Sequence, residues 1–247
     1  MIVAVMADVH ANVAALSAAL AAARTEKVEK LIVLGDIIGY YYNAQKVCDL
    51  IRAWPNICIL GNHDRIFLQA RYDPSLREGY RRKYGSGLEA ALNQLDADSV
   101  AWLGSLEENV LVDLGSLRLQ LCHGSPHDPD KYIYPNSVRS DLDACATPEV
   151  DGVLLAHTHY PFFRAGHPWL LNPGSIGQAR DVGGFASWAK LNTETATIVF
   201  HRTAHDPSAL IREVKRRDGR GAKHGSVLTR SNPMLEESAS LLQGRLE

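Results

Sequence analysis

The chain has 247 residues, 46% of them hydrophobic and 22% charged, with a formal net charge of −2. That length supports one large α/β domain with its own core, or two small ones, and the composition is that of an ordinary soluble globular protein. The near-neutral balance gives no global pull toward nucleic acid or an anionic membrane, so any such contact would have to be a local basic groove.

The four cysteines, Cys48, Cys58, Cys122 and Cys145, lie far apart without a CxxC pair. They read as free thiols in a reducing compartment. No apolar run approaches the ~20 residues needed to cross a bilayer. The opening stretch lacks a basic segment and its apolar run is broken by Asp8, so it reads as a strand and not a signal peptide. A cytoplasmic protein is the expectation.

In chain order, Ile2 to Met6 is a short β-branched run suited to a strand buried on both faces. Asn12 to Lys27 reads as a helix, with Leu16 and Leu20 at i, i+4 and a strong alanine bias. Leu31 to Leu34 is a second buried strand ending at Gly35-Asp36. Ala44 to Ala53 is helical in pattern and stops at Trp54-Pro55; Ile57 to Leu60 is a third strand ending at Gly61-Asn62. Strand–helix–strand–helix–strand within the first 62 residues predicts a parallel α/β sheet with right-handed crossovers.

Residues 67–106 are mostly helical in pattern, broken at Pro74, Gly79, Gly85 and Gly87. Asn109 to Asp113 and Leu117 to Cys122 flank Leu114-Gly115-Ser116 as a hairpin. A helix over Ser137 to Cys145 and a buried strand over Gly152 to Ala156 follow. The last strands are Trp169 to Leu171, Phe185 to Leu191 and Thr197 to Arg202, with Asn192 to Thr195 as a turn. Asp206 to Arg217 is a helix opened by Asp-Pro. From residue 218 the chain becomes linker-like, and only residues 234–246 have the makings of another helix. The expected organisation is one domain over 1–217 and a loosely attached, partly helical tail over 218–247.

Five short motifs stand at the ends of the apolar runs: Asp8-Val9-His10, Gly35-Asp36, Gly61-Asn62-His63-Asp64, His123-Gly124 and His157-Thr158-His159. Open α/β sheets place ligand sites at the carboxyl ends of their strands. In an extended segment alternate residues point the same way, so each D-x-H or H-x-H pair is read as aiming two side chains at one ion. Gly35 permits a sharp turn and a close backbone approach. Each motif alone is a weak signal. Their joint order and strand-end placement make the case for a metal site.

This ordered set resembles the calcineurin-like metallophosphoesterase family, and within it the small bacterial and archaeal phosphodiesterases. The resemblance spans residues 2–177 and extends to the loop Asn172-Pro173-Gly174-Ser175-Ile176-Gly177. Two departures are Ala156 and Ala11, where the family usually has glycine. The resemblance implies a four-layer α/β/β/α sandwich of two mixed sheets flanked by helices. It implies a hydrolase with a binuclear metal centre. Asp8, His10 and His159 would hold one ion, Asn62, His123 and His157 the other, and Asp36 would bridge both. Mixed carboxylate and imidazole ligands suit two divalent transition-metal ions, Mn²⁺ first, with Fe²⁺ or Zn²⁺ as alternatives. The implied reaction is in-line attack of a metal-bridging hydroxide on a phosphodiester or phosphomonoester, with His63 as general acid. Asp64 is expected either to orient the His63 imidazole and raise its pKa, or to serve as a loop or capping carboxylate.

Asn12 is expected to brace the first motif, to contact phosphate or to cap a helix, and Arg180 either to clamp phosphate or to form a surface salt bridge. Tyr40-Tyr41-Tyr42 would stack a base or aryl group, or cover an edge of the core. Arg81-Arg82-Lys83 would meet a polyanion or form a solvated face. The cations of Lys215 to Lys223 would satisfy a helix dipole. His127, His167, His201, His205 and His224 match no motif.

The expected partner is a small phosphorylated substrate such as a nucleotide, with no membrane. Two other readings are a catalytically silent scaffold of the same fold and a nuclease. The scaffold reading is disfavoured because all seven ligands and His63 are present. The nuclease reading is disfavoured because the sequence shows only short basic clusters.

Overall fold

β1 (Ile2–Met6) and β2 (Lys30–Val33) pair in parallel, and β3 (Asn56–Cys58) pairs in parallel with β2. Their side chains alternate between two cores, as the period of two along a strand requires. Ala4, Met6, Leu31 and Val33 face one apolar cluster, whereas Val3, Val5, Ile32 and Leu34 face another. Burial on both faces explains why these strands read as unbroken apolar runs. This is a computed structural model, and it describes residues 1–147, 149–231 and 243–245.

The first cluster is completed by helices laid over the sheet. Leu16 and Ala19 come from α1 (Val13–Thr25), Val47 and Ile51 from α2 (Ala44–Arg52), and Phe67 from α3 (Asn62–Ala70). The second lies between this sheet and another. There Leu119 and Leu121 of β5 (Leu117–Cys122) and Leu154 of β6 (Gly152–Leu154) pack against Val3, Val5 and Ile32. The outer face of the second sheet is covered by Ile133, Cys145 and Val150, near the short helix α7 (Arg139–Asp143). The four layers are therefore helix, sheet, sheet and a helix-bearing cover.

The first sheet runs β11-β10-β9-β1-β2-β3, where β9 is Phe185–Asn192, β10 is Thr197–Ala204 and β11 is Gln243–Arg245. β9 pairs antiparallel with β1, so the parallel β1–β2–β3 unit expected from the first 62 residues sits within a mixed sheet, as the family resemblance implied. The second sheet runs β4-β5-β6-β8-β7, with β4 at Asn109–Leu114, β7 at Pro161–Arg164 and β8 at Trp169–Pro173. β5, β6 and β8 are mutually parallel. The hairpin β4–β5 turns through Gly115, whose φ of +63° suits glycine.

Several expectations need correction. β7 was not legible: it is an edge strand that begins with a proline, which an edge tolerates, and it has only Phe162 and Phe163 to announce it. The stretch 67–106 resolves into the end of α3 and three further helices, α4 (Pro74–Tyr84), α5 (Gly87–Gln94) and α6 (Ala97–Gly104). α7 is shorter than expected and buries no residue.

Residues 218–231 are not loosely attached. After α8 (Ser208–Asp218) the chain forms α9 (Lys223–Ser226) and a 3-10 turn, and His224, Val227 and Leu228 are buried. Tyr41 donates to the carbonyl of His224 at 2.9 Å, and Tyr42 donates to Asp218 at 2.6 Å. The suggested helix over 234–246 lies outside the described residues except for 243–245, which are strand. All four cysteines are free and buried. Among the described residues no helix is long and apolar enough to cross a membrane.

Candidate metal centre

The parallel strands of both sheets end at one place. Asp8 and His10 follow β1, Asp36 follows β2, and Asn62 and His63 follow β3; from the second sheet His123 follows β5, and His157 and His159 follow β6. All five motifs are brought together.

The local backbone differs from the extended alternation read in the sequence. Asp8 (φ 51°), His10 (φ 49°), Asp36 (φ 50°), His157 (φ 67°) and His159 (φ 64°) all have left-handed conformations. Residues with a Cβ pay of order 1 kcal/mol or more to stay there, and such strain clusters at functional sites. The turns are held by the core beneath them: His10 N donates to the Asp36 carbonyl at 2.9 Å, and Asp8 N to the Gly35 carbonyl at 3.2 Å. Two glycines make the convergence possible. A Cβ on Gly61 would lie 2.1 Å from Asp36 N. One on Gly39 (φ +135°) would lie 2.8 Å from His10 Nδ1 and 3.0 Å from His63 Nδ1.

Asp36 is the centre of the cluster. Its Oδ2 lies 3.6 Å from His10 Nε2 and 3.4 Å from His123 Nε2, while its Oδ1 accepts from His63 N at 2.8 Å. On one side, Asp8 Oδ1 is 3.4 Å from His159 Nε2, which is 3.2 Å from His10 Nε2. On the other, Asn62 Oδ1 is 3.1 Å from His123 Nε2, and the His157 ring lies 5.0 Å from that of His123. The far nitrogens are fixed by backbone: His123 Nδ1 is 2.7 Å from the Leu34 carbonyl, and His159 Nδ1 is 2.7 Å from that of Gln178. Each ring thus donates at Nδ1 and points its Nε2 inward, the orientation that a metal-binding imidazole takes.

The electrostatics suit bound cations. Burial pushes Asp8 up to about 8, with Asp36 adding to the effect, and drives His10 and His159 well below the usual imidazole range. Burial likewise lowers His157 to about 4. Burial opposes the charge of Asp36, but His123 and His63 hold its carboxyl well below the usual range. Burial also opposes the charge of His123, yet Asp36 prevails and raises it to about 10. Both carboxylate oxygens of Asp8, and His157 Nε2, are buried without a hydrogen-bond partner among the described residues. Such orphans are costly unless an ion completes them. Three overlapping groups, Asp8–His10–His159, His10–Asp36–His63 and Asp36–His123–His157, have ligand atoms close enough to share an ion.

Other expected residues fall differently. Asp64 does not orient His63. Its carboxylate accepts from Ile37 N (3.2 Å), Ile38 N (3.0 Å) and Gly61 N (3.1 Å), and so pins the Asp36 turn to the start of α3. The partner of His63 Nδ1 is the Tyr80 hydroxyl, at 2.5 Å. Nothing in the sequence singled out Tyr80, a helical tyrosine seventeen positions away. Nor is the His63 pKa raised: burial lowers it to about 4.

Asn12 does not reach out to substrate. It caps α1 through Ala15 N at 3.2 Å and donates to the Gly177 carbonyl at 2.9 Å, tying the Asn172–Gly177 loop to the first motif. Arg180 has no ion pair among the described residues, and its charge is felt at Asp8, His10 and His159. Of the three adjacent tyrosines, Tyr41 and Tyr42 are buried, and Tyr40 packs edge-on to His10 at 4.8 Å. Tyr132, missed in the sequence, lies over His157 at 4.0 Å and is half exposed.

Two mixed sheets whose parallel strands deliver aspartates and histidines to a common buried point define an α/β sandwich with a candidate metal centre. The chain belongs to the calcineurin-like phosphoesterase superfamily, whose domain model matches residues 1–196. It is 26% identical over 225 residues to the uncharacterised protein MJ0912 of Methanocaldococcus jannaschii, covering 83% of this chain and 88% of that one. Hypothetical protein PH1004 of Pyrococcus horikoshii OT3 has the same fold, with a TM-score of 0.83, 23% identity, and 94% and 98% of the two chains covered. A metallophosphoesterase from Sphaerobacter thermophilus superposes with a TM-score of 0.75 at 27% identity, over 92% and 98% of the two chains.

Proposed function

We propose that this protein hydrolyses a phosphate ester of a small substrate at a centre of two divalent metal ions. The observation that carries the reading is Asp36 Oδ2 standing between His10 Nε2 (3.6 Å) and His123 Nε2 (3.4 Å), flanked by the orphaned oxygens of Asp8 and the orphaned Nε2 of His157. Asp8, His10 and His159 would hold one ion and Asn62, His123 and His157 the other, with Asp36 shared; nitrogen and oxygen ligands without thiolate favour Mn²⁺, Fe²⁺ or Zn²⁺. When bound, such a pair supplies a nucleophilic water at neutral pH and positive charge for the phosphoryl oxygens.

The chain's own part is positioning and proton placement. Burial keeps the Tyr80 hydroxyl protonated, its pKa well above 10. Such a hydroxyl can donate to His63 Nδ1, an arrangement that would leave the imidazole proton on Nε2. His63 is fixed to Asp36 through its backbone N–H, so this proton is held beside the centre, where it can be given to a leaving-group oxygen.

The test is turnover of bis-p-nitrophenyl phosphate and p-nitrophenyl phosphate by protein loaded with Mn²⁺. Absence of turnover with any divalent ion, from protein shown to hold two metals, would sink the enzyme reading in favour of a silent scaffold. In the same assay His63→Ala should keep its metal and lose about 10²-fold or more in turnover, most for poor leaving groups. Loss of metal would make His63 a ligand instead.

A further inference from the structure

A cavity of about 770 Å³ adjoins the candidate metal centre. Tyr40 and Gln178 form the shared wall. The Tyr40 ring lies 4.8 Å from both His10 and His63, and the Gln178 carbonyl accepts from His159. The opposite wall comes from α4 and from the segment 217–230, beyond the residues that match the family domain.

The charge of this cavity is one-sided. Arg82, Lys83, Arg180, Lys223 and Arg230 all line it, and none has a carboxylate partner among the described residues. The one carboxylate among the lining residues, Asp218, is directed into the wall. It accepts from Tyr42 (2.6 Å) and Ser86 N (2.9 Å) and sits 3.1 Å from His224 Nε2. The basic wall is also fixed in place: Tyr41 donates to the His224 carbonyl, and Gly183 N donates to the Arg230 carbonyl at 2.7 Å. Five cations without a carboxylate partner among the described residues, set around one cavity, repel each other, and an anion between them removes that cost. Guanidinium and ammonium groups together are the chemistry that recognises phosphate.

We propose that this cavity binds a second phosphoryl group, or a short phosphate chain, of the same substrate whose ester is cleaved at the metal centre. The inference rests on the phosphoesterase reading and narrows its substrate to small molecules carrying more than one phosphate. One scissile phosphate would be served by the metal ligands and Arg180; the cations of α4 and of residues 223–230 lie beyond it and need a charge of their own. The cations are gathered around a cavity, which suits a compact polyanion better than a long strand.

The experiment uses two esters that share a scissile bond: the p-nitrophenyl ester of thymidine 5′-phosphate, and the same ester carrying a 3′-phosphate. Metal-loaded full-length protein should prefer the second by about tenfold or more in kcat/KM at low ionic strength, the gain lying in KM and shrinking with added salt. The double variant Lys223→Glu, Arg230→Glu should lose the preference. Arg82→Glu, on a separate helix, should reduce it as well, so a local misfolding of residues 223–230 would not explain both. Equal kcat/KM for the two esters, or a preference that survives both variants, would overturn the inference. So would faster hydrolysis of an oligothymidylate than of either ester, which would assign the basic wall to a nucleic-acid strand. If neither ester is cleaved, the assay with p-nitrophenyl phosphates judges the phosphoesterase reading, and equilibrium dialysis with thymidine 3′,5′-bisphosphate judges the cavity separately. Binding that the variants abolish supports the cavity, and absence of binding overturns it.

Discussion

Asp8 and His123 carry the clearest consequence of the site's electrostatics. Without metal, burial and the neighbouring Asp36 push Asp8 up to about 8, and Asp36 raises His123 to about 10. Both groups then hold a proton at neutral pH on the atoms a metal would use. Proton and metal compete, so affinity must weaken as pH falls. Between the two values only His123 is protonated; below the lower one both are. Loading with Mn²⁺ should therefore release protons, and more per chain at pH 7 than at pH 9, read by calorimetry in buffers of different ionisation enthalpy. A metal affinity unchanged between pH 6 and 8 would contradict this assignment. At this scale the candidate residues and their convergence were legible, because each stands at the end of an apolar run. The partners that tune them were not: the Leu34 and Gln178 carbonyls are backbone, and Tyr80 is separated from His63 by a turn of chain that no spacing rule connects.

The elements deliver these residues through turns rather than through the strands themselves. A D-x-H pair was read as extended and aimed at one ion by alternation, yet Asp8, His10, His157 and His159 are all left-handed. Side-chain alternation holds within β1 and β6, where the core imposes it, and ends where the core ends. Beyond that point tight backbone contact takes over, and Gly61 shows how tight. A Cβ there would stand 2.1 Å from Asp36 N and 2.2 Å from its Oδ1, with neither backbone free to retreat. Gly61→Ala should cost about 1–3 kcal/mol of stability through overpacking, and more tellingly should displace Asp36. The expected outcome is a folded protein with less than half the metal content of the parent, measured by elemental analysis after gel filtration. Full metal content would show that the Asp36 turn can move without loss of the site. Such a requirement is only half visible in sequence: Gly-Asp and Gly-Asn after a strand suggest a sharp turn, but not that the two turns press on one another.

For the whole molecule, the four-layer architecture follows from strands buried on both faces, and the two-sheet arrangement was legible only through the family resemblance. Composition misled about the end of the chain. Gly219, Arg220 and Gly221 read as linker, yet residues 223–230 dock on the body through Val227, Leu228 and the backbone of His224. The docking depends on Tyr41 and Tyr42, about 180 positions earlier, and so could not be read locally. Leu228 is 2% exposed and belongs to the same core as α1 and α2, so Leu228→Ala in the full chain should cost about 2–4 kcal/mol. For a domain of this size that is a fall in Tm of roughly 4–16 °C. Removing residues 220–247 should lower Tm at least as far, because it strips Val227 and Leu228 together and leaves the Tyr41 hydroxyl without the His224 carbonyl. The proposed metal ligands all precede residue 160, so the truncated chain should still bind two equivalents of metal while its melting shifts. A truncated protein that melts with the parent would mean that the docked segment adds nothing to the core. Retention of both metals alongside a lowered Tm would separate the two parts of the molecule: a self-sufficient centre at the strand ends, and a C-terminal segment that completes the body and walls the basic cavity.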